Sequence, residues 1–273
     1  MSCTLLKTLG TTMLLCALAG SSAVGQEAGH DTEHALAMKL QNPVASLISV
    51  PFQNNFEWGS GLRSEGFKYT LNFQPVIPIS ITENWNLISR TIVPVIQQND
   101  VVPDSSQGGL GDILQSVFFS PKAPGSGGII WGLGPAFLLP TSTADFLGAQ
   151  KFALGPTAVV LRQHSGWTYG ILANHLVSTG GTRSTEDVNA TFLQPFLSFT
   201  TKTRTTFALN TESTYDWESS KWTVPLNLTV KQLLRLGGAP MQFELGPKLY
   251  VEGPTSAPDW GIRFTYTLLF PTK

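Results

Sequence analysis

Residues 260–270 read Trp260-Gly261-Ile262-Arg263-Phe264-Thr265-Tyr266-Thr267-Leu268-Leu269-Phe270, with every even position apolar or aromatic and the odd ones Gly, Arg, Thr, Thr and Leu. A period of two sends successive side chains to opposite faces of an extended chain. The same alternation runs through Trp222, Val224, Leu226, Leu228 and Val230 against Thr223, Pro225, Asn227, Thr229 and Lys231. It recurs in Phe67, Tyr69, Leu71 and Phe73 against Lys68, Thr70, Asn72 and Gln74. A helix would repeat its apolar residues at i, i+3, i+4 and i+7, a pattern that only the N-terminal region, including Ala35 to Leu40, can support. One face is greasy and the other wet, so the body of the chain is all-β.

Such segments begin near Leu47, Phe67, Trp85, Asp112, Ile129, Lys151, Trp167, Ala190, Thr205, Lys221, Met241 and Trp260. Most run to about 10 residues, the length a tilted strand needs to cross a bilayer, where strands of soluble domains average about 5 to 6. The pattern predicts a closed antiparallel transmembrane β-barrel of about 12 strands over residues 46–273, closure leaving no unpaired edge. Long connections at Gln97 to Gly111 and Ser178 to Val188 against short ones at Thr82 to Asn84 and Thr201 to Arg204 fit longer outer loops and short periplasmic turns. Asp216 to Lys221 and Ser120 to Gly128 depart from that rule. Six of the seven tryptophans fall at strand ends. Trp85 and Trp167 are expected at the inner rim and Trp58, Trp217, Trp222 and Trp260 at the outer rim, as an interfacial girdle. Trp131 alone reads as mid-strand.

The 273 residues are 42% hydrophobic and only 13% charged, about half the charge of an ordinary soluble domain. Seventeen Lys+Arg against eighteen Asp+Glu give a net charge of −1 with no basic block, which excludes nucleic acid as a partner. Residues 1–25 carry a single charge at Lys7, an apolar run from Leu9 to Ala19, and small residues at Ala23-Val24-Gly25. They read as a cleaved secretory signal, too short for a membrane helix. Cys3 and Cys16 both lie in it, so the mature chain has no thiol chemistry. Residues 26–45 are left as a periplasmic N-terminal segment.

If the aromatic faces meet lipid, the inward side chains include Lys68, Asn72, Gln74, Asn210, Glu212, Asn227, Lys231, Gln242, Glu244, Lys248 and Arg263, with Arg90. That predicts a polar, slightly cationic lumen able to bias which solutes enter. The alternative is that these groups pair across strands and simply fill a narrow barrel. Arg90 and Arg263 are lone arginines within long strands, where a lipid-facing charge costs roughly 2 to 4 kcal/mol at the midplane. Both are therefore expected inside or near a rim.

Catalytic and metal chemistry finds little support. His164 and Ser165 are adjacent and His175 and Ser178 three apart, so each pair points to opposite faces of a strand. His30, Asp31, Glu33 and His34 form the one cluster of metal-ligand types, in what reads as a solvated tail. No cofactor is implied, because Gly108-Gly109-Leu110-Gly111 and Gly125-Ser126-Gly127-Gly128 precede strands and read as turns. The loops Thr179 to Val188, with Arg183, Glu186 and Asp187, and Asp100 to Ser106 could either narrow the mouth or decorate the surface.

Several stretches resemble the outer-membrane barrels grouped as MetA-pathway of phenol degradation. They are Trp85-Asn86-Leu87-Ile88-Ser89-Arg90-Thr91-Ile92-Val93-Pro94, Gly109-Leu110-Gly111-Asp112-Ile113, Phe118-Phe119-Ser120-Pro121-Lys122, Leu193-Gln194-Pro195-Phe196, and Pro258-Asp259-Trp260-Gly261-Ile262-Arg263-Phe264 through Leu269-Phe270-Pro271. The resemblance implies an outer-membrane protein of Gram-negative bacteria, a passage for hydrophobic or aromatic compounds, and no catalytic set. Its partners would be outer-membrane lipid, a small-molecule solute and the outer-membrane assembly machinery. The end of the chain departs from barrels that stop at an aromatic residue, because Pro271-Thr272-Lys273 follow Phe270. Two function classes follow: a steady pore, and a plugged barrel that binds a ligand or serves a structural role. An outer-membrane hydrolase is a weaker third.

Overall fold

The computed structural model describes residues 32–144, 146–181 and 186–270. The proposed signal segment, His30, Asp31 and Arg183 lie outside them. A short helix, α1 (32–39), precedes the strands. These are β1 (Ile48–Ser60), β2 (Gly66–Phe73, resuming as Val76–Ser80), β3 (Trp85–Asn99), β4 (Ser106–Leu110, resuming as Ile113–Pro121), β5 (Ile129–Leu139) and β6 (Lys151–His164). The second half is β7 (Trp167–Gly181), β8 (Asn189–Thr200), β9 (Thr205–Thr211, resuming as Ser213–Asp216), β10 (Lys221–Leu236), β11 (Ala239–Glu252) and β12 (Trp260–Phe270).

Each strand pairs antiparallel with the next, and β12 returns to β1 in unbroken register from Ile48↔Phe270 to Trp58↔Trp260. The result is a closed antiparallel barrel of twelve strands. Closure satisfies the backbone of every wall strand, the condition for crossing a bilayer with β structure. The three interruptions have local causes. Pro75 lacks an N–H where β2 pauses. In β4 the pairing Leu110↔Val95 becomes Leu114↔Ile92, so Gly111-Asp112 accommodates one extra residue as a bulge. In β9 the pause at Glu212 lies where the register of Thr211↔Leu226 and Thr214↔Thr223 brings Pro225, which has no hydrogen to donate.

The alternation sorts side chains as the period of two requires. Along β12, Gly261, Arg263, Thr265, Thr267 and Leu269 are buried, while Trp260, Ile262, Phe264 and Phe270 are exposed on the outer face. Phe207, Leu228, Leu245, Leu249 and Val251 continue that apolar outer belt on β9 to β11. Rings cluster at its margins: Trp58 stacks on Trp260 at 4.6 Å, and Tyr215 packs between Trp217 and Trp222 at 4.8 and 5.0 Å. At the other end Trp167 meets Phe199 at 4.9 Å. Trp131, expected in mid-strand, lies edge-on to Trp85 at 5.7 Å and so belongs to the same rim. The strand reading had counted two residues before it, too few to reach the middle of an eleven-residue strand.

Connections are shorter at the end that carries both chain termini. There the links 165–166 and 237–238 are two-residue turns, although the β4–β5 link 122–128 is long and closes with a 3₁₀ turn at Ser126–Gly128. At the opposite end the β5–β6 loop 140–150 is the longest. The carboxylate of Asp112, turned out of line by the bulge, accepts the Ser142 N–H at 3.0 Å and the Gln150 N–H at 2.9 Å, fastening both ends of that loop. The expected long Gln97 to Gly111 connection is mostly strand, since β3 and β4 extend to Asn99 and Ser106.

Residues 36–47 do not trail away from the barrel but cross its lumen at the terminal end. Ala37, Ala45 and Leu47 pack against inward Leu233 of β10 and Leu269 of β12. Val44 packs against inward Ile88, Phe118, Val159, Leu161 and Leu172 on the far side. Polar ties hold the segment at several walls: Gln163 donates to the Met38 carbonyl at 2.7 Å, and Asn86 to Ser46 Oγ at 2.6 Å. Glu33, expected in a solvated tail, is instead clasped by Arg204 and by Arg235, whose Nε lies 2.6 Å from Oε1. Burial of the apolar positions Leu36, Ala37 and Leu40 outweighs solvation because the barrel offers an unfilled apolar end.

Charge placed on the two faces of one strand should separate lipid from lumen. Phe264→Arg, on the outer face near mid-strand, should destabilise the folded barrel by about 2–4 kcal/mol in a bilayer, while the neighbouring inward Thr265→Arg should not show that lipid penalty. Denaturant refolding titrations into vesicles check this, and equal losses would contradict the assigned facing.

Candidate functional site

The twelve strands enclose a lumen with two unlike walls. On β9 to β12, β1 and β2 the inward positions carry charge and amide groups; on β3 to β8 they are largely Ile, Leu, Val, Ala and Phe. The uniformly polar lumen expected from the alternating strands is therefore confined to one half. The reason is visible in β3, where inward Ile88, Ile92 and Ile96 alternate with outward Leu87, Val93 and Val95, so both faces are apolar and the period of two disappears from the sequence.

Every anticipated lumen residue faces inward, and the structure brings most of them into pairs. Arg263 donates from Nη1 and Nη2 to the two oxygens of Glu212 at 2.9 and 2.7 Å, and from Nε to Asn55 Oδ1 at 2.9 Å. That fork-to-carboxylate geometry bridges β12 and β9 across the inner faces of the two strands between them. The pause in β9 at Glu212 lets its carboxylate reach across. Lys248 donates to Glu57 at 2.7 Å and the Tyr250 hydroxyl donates to the same oxygen at 2.5 Å. Lys231 pairs with its register partner Glu244 at 3.6 Å. Asn227 donates to Asn210 at 2.9 Å, and Asn72 and Gln74 donate to Gln53 at 3.2 Å each. Lys68 stands opposite Glu57 in the β1–β2 register without a direct ion pair. Gln242 is buried with its Nε2 unpartnered.

Glu57 is the functional residue that the strand reading missed. Its signal was present, because Phe52, Asn54, Phe56 and Trp58 alternate with Gln53, Asn55 and Glu57. With it, the named set holds five cations against three carboxylates, Arg90 and Lys68 being the two without a direct ion pair among the described residues. Arg90 makes one side-chain hydrogen bond, Nη2 to Gln74 Oε1 at 3.4 Å, and has no carboxylate in ion-pair range among the described residues.

Three neighbouring cavities follow the lumen among the described residues. The outermost, about 760 Å³, lies between residues 146–150 and Glu186 to Ala190. It shares Val188, Ala190 and Thr214 with a middle cavity of about 340 Å³, lined on one side by Leu114, Leu138, Leu172, Leu176 and Phe192 and on the other by Arg90, Gln53 and Glu212. The innermost, about 210 Å³, is floored by residues 39–45 of the N-terminal segment. Arg90, Gln53, Gln74 and Gln194 line both of the last two. Of the two loops considered as constrictions, Glu186 and Asp187 border the outermost cavity, whereas Asp104 lies on the surface paired to Arg63 at 3.3 Å.

At the outer mouth, Lys151 donates to Asp187 Oδ1 at 2.9 Å and Ser178 Oγ donates to the same atom at 3.3 Å. The Lys151 hydrogen bond, then its charge, hold the Asp187 carboxyl below the ordinary aspartate value. Of the histidines weighed as catalytic, His175 has its Nδ1 2.9 Å from Thr191 Oγ1, which also accepts from Trp217 Nε1 at 2.9 Å, while Ser178 donates to Asp187.

The class defined by this architecture is a membrane-type β-barrel whose lumen holds its own N-terminal segment. No family model and no curated protein matches the sequence. Among solved structures, the COG4313 outer membrane channel from Pseudomonas putida F1 is similar, with a TM-score of 0.64 and 13% identity over 83% of this chain and 96% of that one. The dimeric, calcium-bound outer membrane phospholipase of Salmonella typhi gives a TM-score of 0.44 at 9% identity over 82% and 90%. The first likeness shows the fold, a barrel of the outer-membrane type.

Two outcomes follow from these pairs. Arg263→Ala leaves Glu212 unpaired in a buried setting and should destabilise by about 3–5 kcal/mol, whereas Arg263→Met with Glu212→Leu should lose far less; denaturant midpoints of the folded barrel measure both. A depressed carboxyl gives a tie that is complete above the ordinary aspartate value and lost as pH falls through the lowered one. Protection against hydrogen exchange around residues 186–190, referenced to the intrinsic rate at each pH, should therefore fall on strong acidification, and in Asp187→Asn should be low at neutral pH as well.

Proposed function

We propose that the protein is a channel of the Gram-negative outer membrane that passes small solutes with an apolar or aromatic body, and that its N-terminal segment keeps the path narrow. The observation that carries this reading is the middle cavity, about 340 Å³, in which an aliphatic and aromatic wall faces a charged one. A pore for hydrated ions or sugars gains nothing from Leu114, Leu138, Leu172 and Phe192, since water and sugars are held by polar groups. An apolar solute buries its surface there, and small-ligand sites typically measure about 300–1,000 Å³.

The stretches resembling the MetA-pathway of phenol degradation barrels, and the fold shared with an outer membrane channel, support membership of that group of transporters. On this reading residues 1–25 direct export, the terminal end faces the periplasm, and lipid and the assembly machinery are the remaining partners. The plugged barrel is favoured to the extent that residues 36–47 fill the terminal end. The two readings separate by conductance and uptake.

Planar-bilayer recordings of the mature protein should show small conductance, rising several-fold in Glu33→Gln and in the double variant Arg204→Gln with Arg235→Gln, which release the clasp on α1. Proteoliposomes should take up phenyl β-glucoside, which crosses bare lipid slowly, faster than a disaccharide of similar size, relative to protein-free liposomes. Large steady conductance in the unaltered protein, unmoved by the two variants, with the disaccharide passing as readily as phenyl β-glucoside, would contradict the proposal.

A further inference from the structure

Arg90, on β3 at the edge of the apolar wall, lacks the carboxylate partner that most lumen cations have, and unlike Lys68, the other inward cation without a direct ion pair among the described residues, it lines the cavities. Arg263, Lys248 and Lys231 each have a carboxylate at 2.7 to 3.6 Å, and Arg235 and Arg204 share Glu33. Arg90 has only the neutral Gln74 carbonyl at 3.4 Å, a long contact for a guanidinium. Its position on β3 aims the side chain inward, where it lines both the middle and the innermost cavity. The carboxylate nearest in the lining, Glu212, is already held by both Nη groups of Arg263.

A guanidinium inside a barrel forfeits hydration, and the loss is made good when its planar fork meets a carboxylate or phosphate. No described residue supplies one. Of its two cavities, one includes Glu212, held by Arg263, and the other the Lys231–Glu244 pair, while the polar groups common to both are neutral amides: Gln74, Gln53 and Gln194. Gln53 accepts through its oxygen from Asn55, Asn72 and Gln74, leaving its own amide N–H groups uncommitted toward the lumen. The aliphatic wall begins on the neighbouring strand, where Leu114 is one inward position from Arg90's register partner Ser116, and continues around the middle cavity through Leu138, Leu172, Leu176 and Phe192. A cation, adjoining amide donors and a nearby apolar surface in one small cavity describe the two ends of an amphiphile.

We propose that the middle cavity is a binding site for a small monocarboxylate with an aromatic or short aliphatic body, its carboxylate on Arg90 and its apolar part against Leu114, Leu138 and Leu172. This deepens, and rests on, the reading of the barrel as a path for apolar-bodied solutes. Arg90 thereby selects acids from neutral compounds of equal size. Its place between the two cavities makes it the hand-over point toward the periplasmic end.

The test is fluorine NMR titration of the folded full-length mature protein in detergent with 4-fluorobenzoate and, separately, 4-fluorobenzyl alcohol. Folding of each variant is checked by heat-modifiable gel mobility. The unaltered protein should bind the carboxylate more tightly than the alcohol. Arg90→Gln should weaken 4-fluorobenzoate about tenfold or more, the usual size of a charge-assisted contact, and leave the alcohol unchanged. Arg90→Lys should fall between, since it keeps the charge and loses the fork. Leu138→Asn should weaken both probes alike. Equal affinity for the two probes, or carboxylate binding indifferent to Arg90→Gln, overturns the site. Arg90-dependent binding without uptake in proteoliposomes sustains the site and removes the channel reading. Protein-dependent phenyl β-glucoside uptake together with Arg90-independent carboxylate binding does the reverse.

Discussion

Everything in this molecule follows from the pairing of β1 with β12. A bilayer offers no water to a backbone N–H, so a wall of strands survives there only if the last meets the first. Ile48 to Trp58 against Phe270 to Trp260 is that seam. Once it closes, the outward positions must be apolar and the inward positions are free to be chosen for something other than burial against lipid. The barrel is curved tightly enough that inward side chains from non-neighbouring strands reach one another, as Arg263 of β12 and Glu212 of β9 do. Its interior is thus a site by construction, and what that site can do depends on how the inward set is distributed.

That distribution is lopsided. Charged and amide groups occupy one half of the circumference and satisfy each other through forked and shared hydrogen bonds, while the other half is aliphatic. A lumen wholly lined by charge would hold water and conduct, and one wholly apolar would collapse or fill. Here the lumen is capped at one end by residues 36–47, where Ala37 and Leu47 pack on Leu233 and Leu269 of the charged half while Val44 buries itself on the apolar one. Farther along the same wall is left open as the middle cavity. The N-terminal segment and an apolar-bodied solute would thus use the same surface at different heights.

The all-β class, the closed barrel, the twelve strands and the facing of Lys68, Asn72, Glu212, Asn227, Lys231, Glu244, Lys248 and Arg263 were legible because their strands alternate between lipid and polar lumen. Arg90 was legible for a different reason, the penalty of a charge facing lipid. The apolar wall was not legible, since a strand such as Ile92-Val93-Pro94-Val95-Ile96 is apolar on both faces and a period of two cannot say which residues are inside. Pairing was also hidden: that Glu212 meets Arg263 depends on strands fifty-one residues apart in sequence being held at one level. The clasp on Glu33 was missed because a charged residue before the first strand looks like tail until the barrel places Arg204 and Arg235 beside it. Trp131 was misplaced by counting, and the ring of Trp85 restores it to the rim.

The account stands on solutes using the apolar wall, and Leu172, 2% exposed and lining the middle cavity, is where that claim is most directly touched. Uptake of phenyl β-glucoside, an aromatic solute whose sugar hydroxyls slow its passage through bare lipid, should be measured in proteoliposomes carrying equal amounts of folded Leu172→Asn and unaltered protein. The account predicts a severalfold loss of its uptake with ion conductance unchanged or raised. Undiminished phenyl β-glucoside uptake in the variant would contradict it.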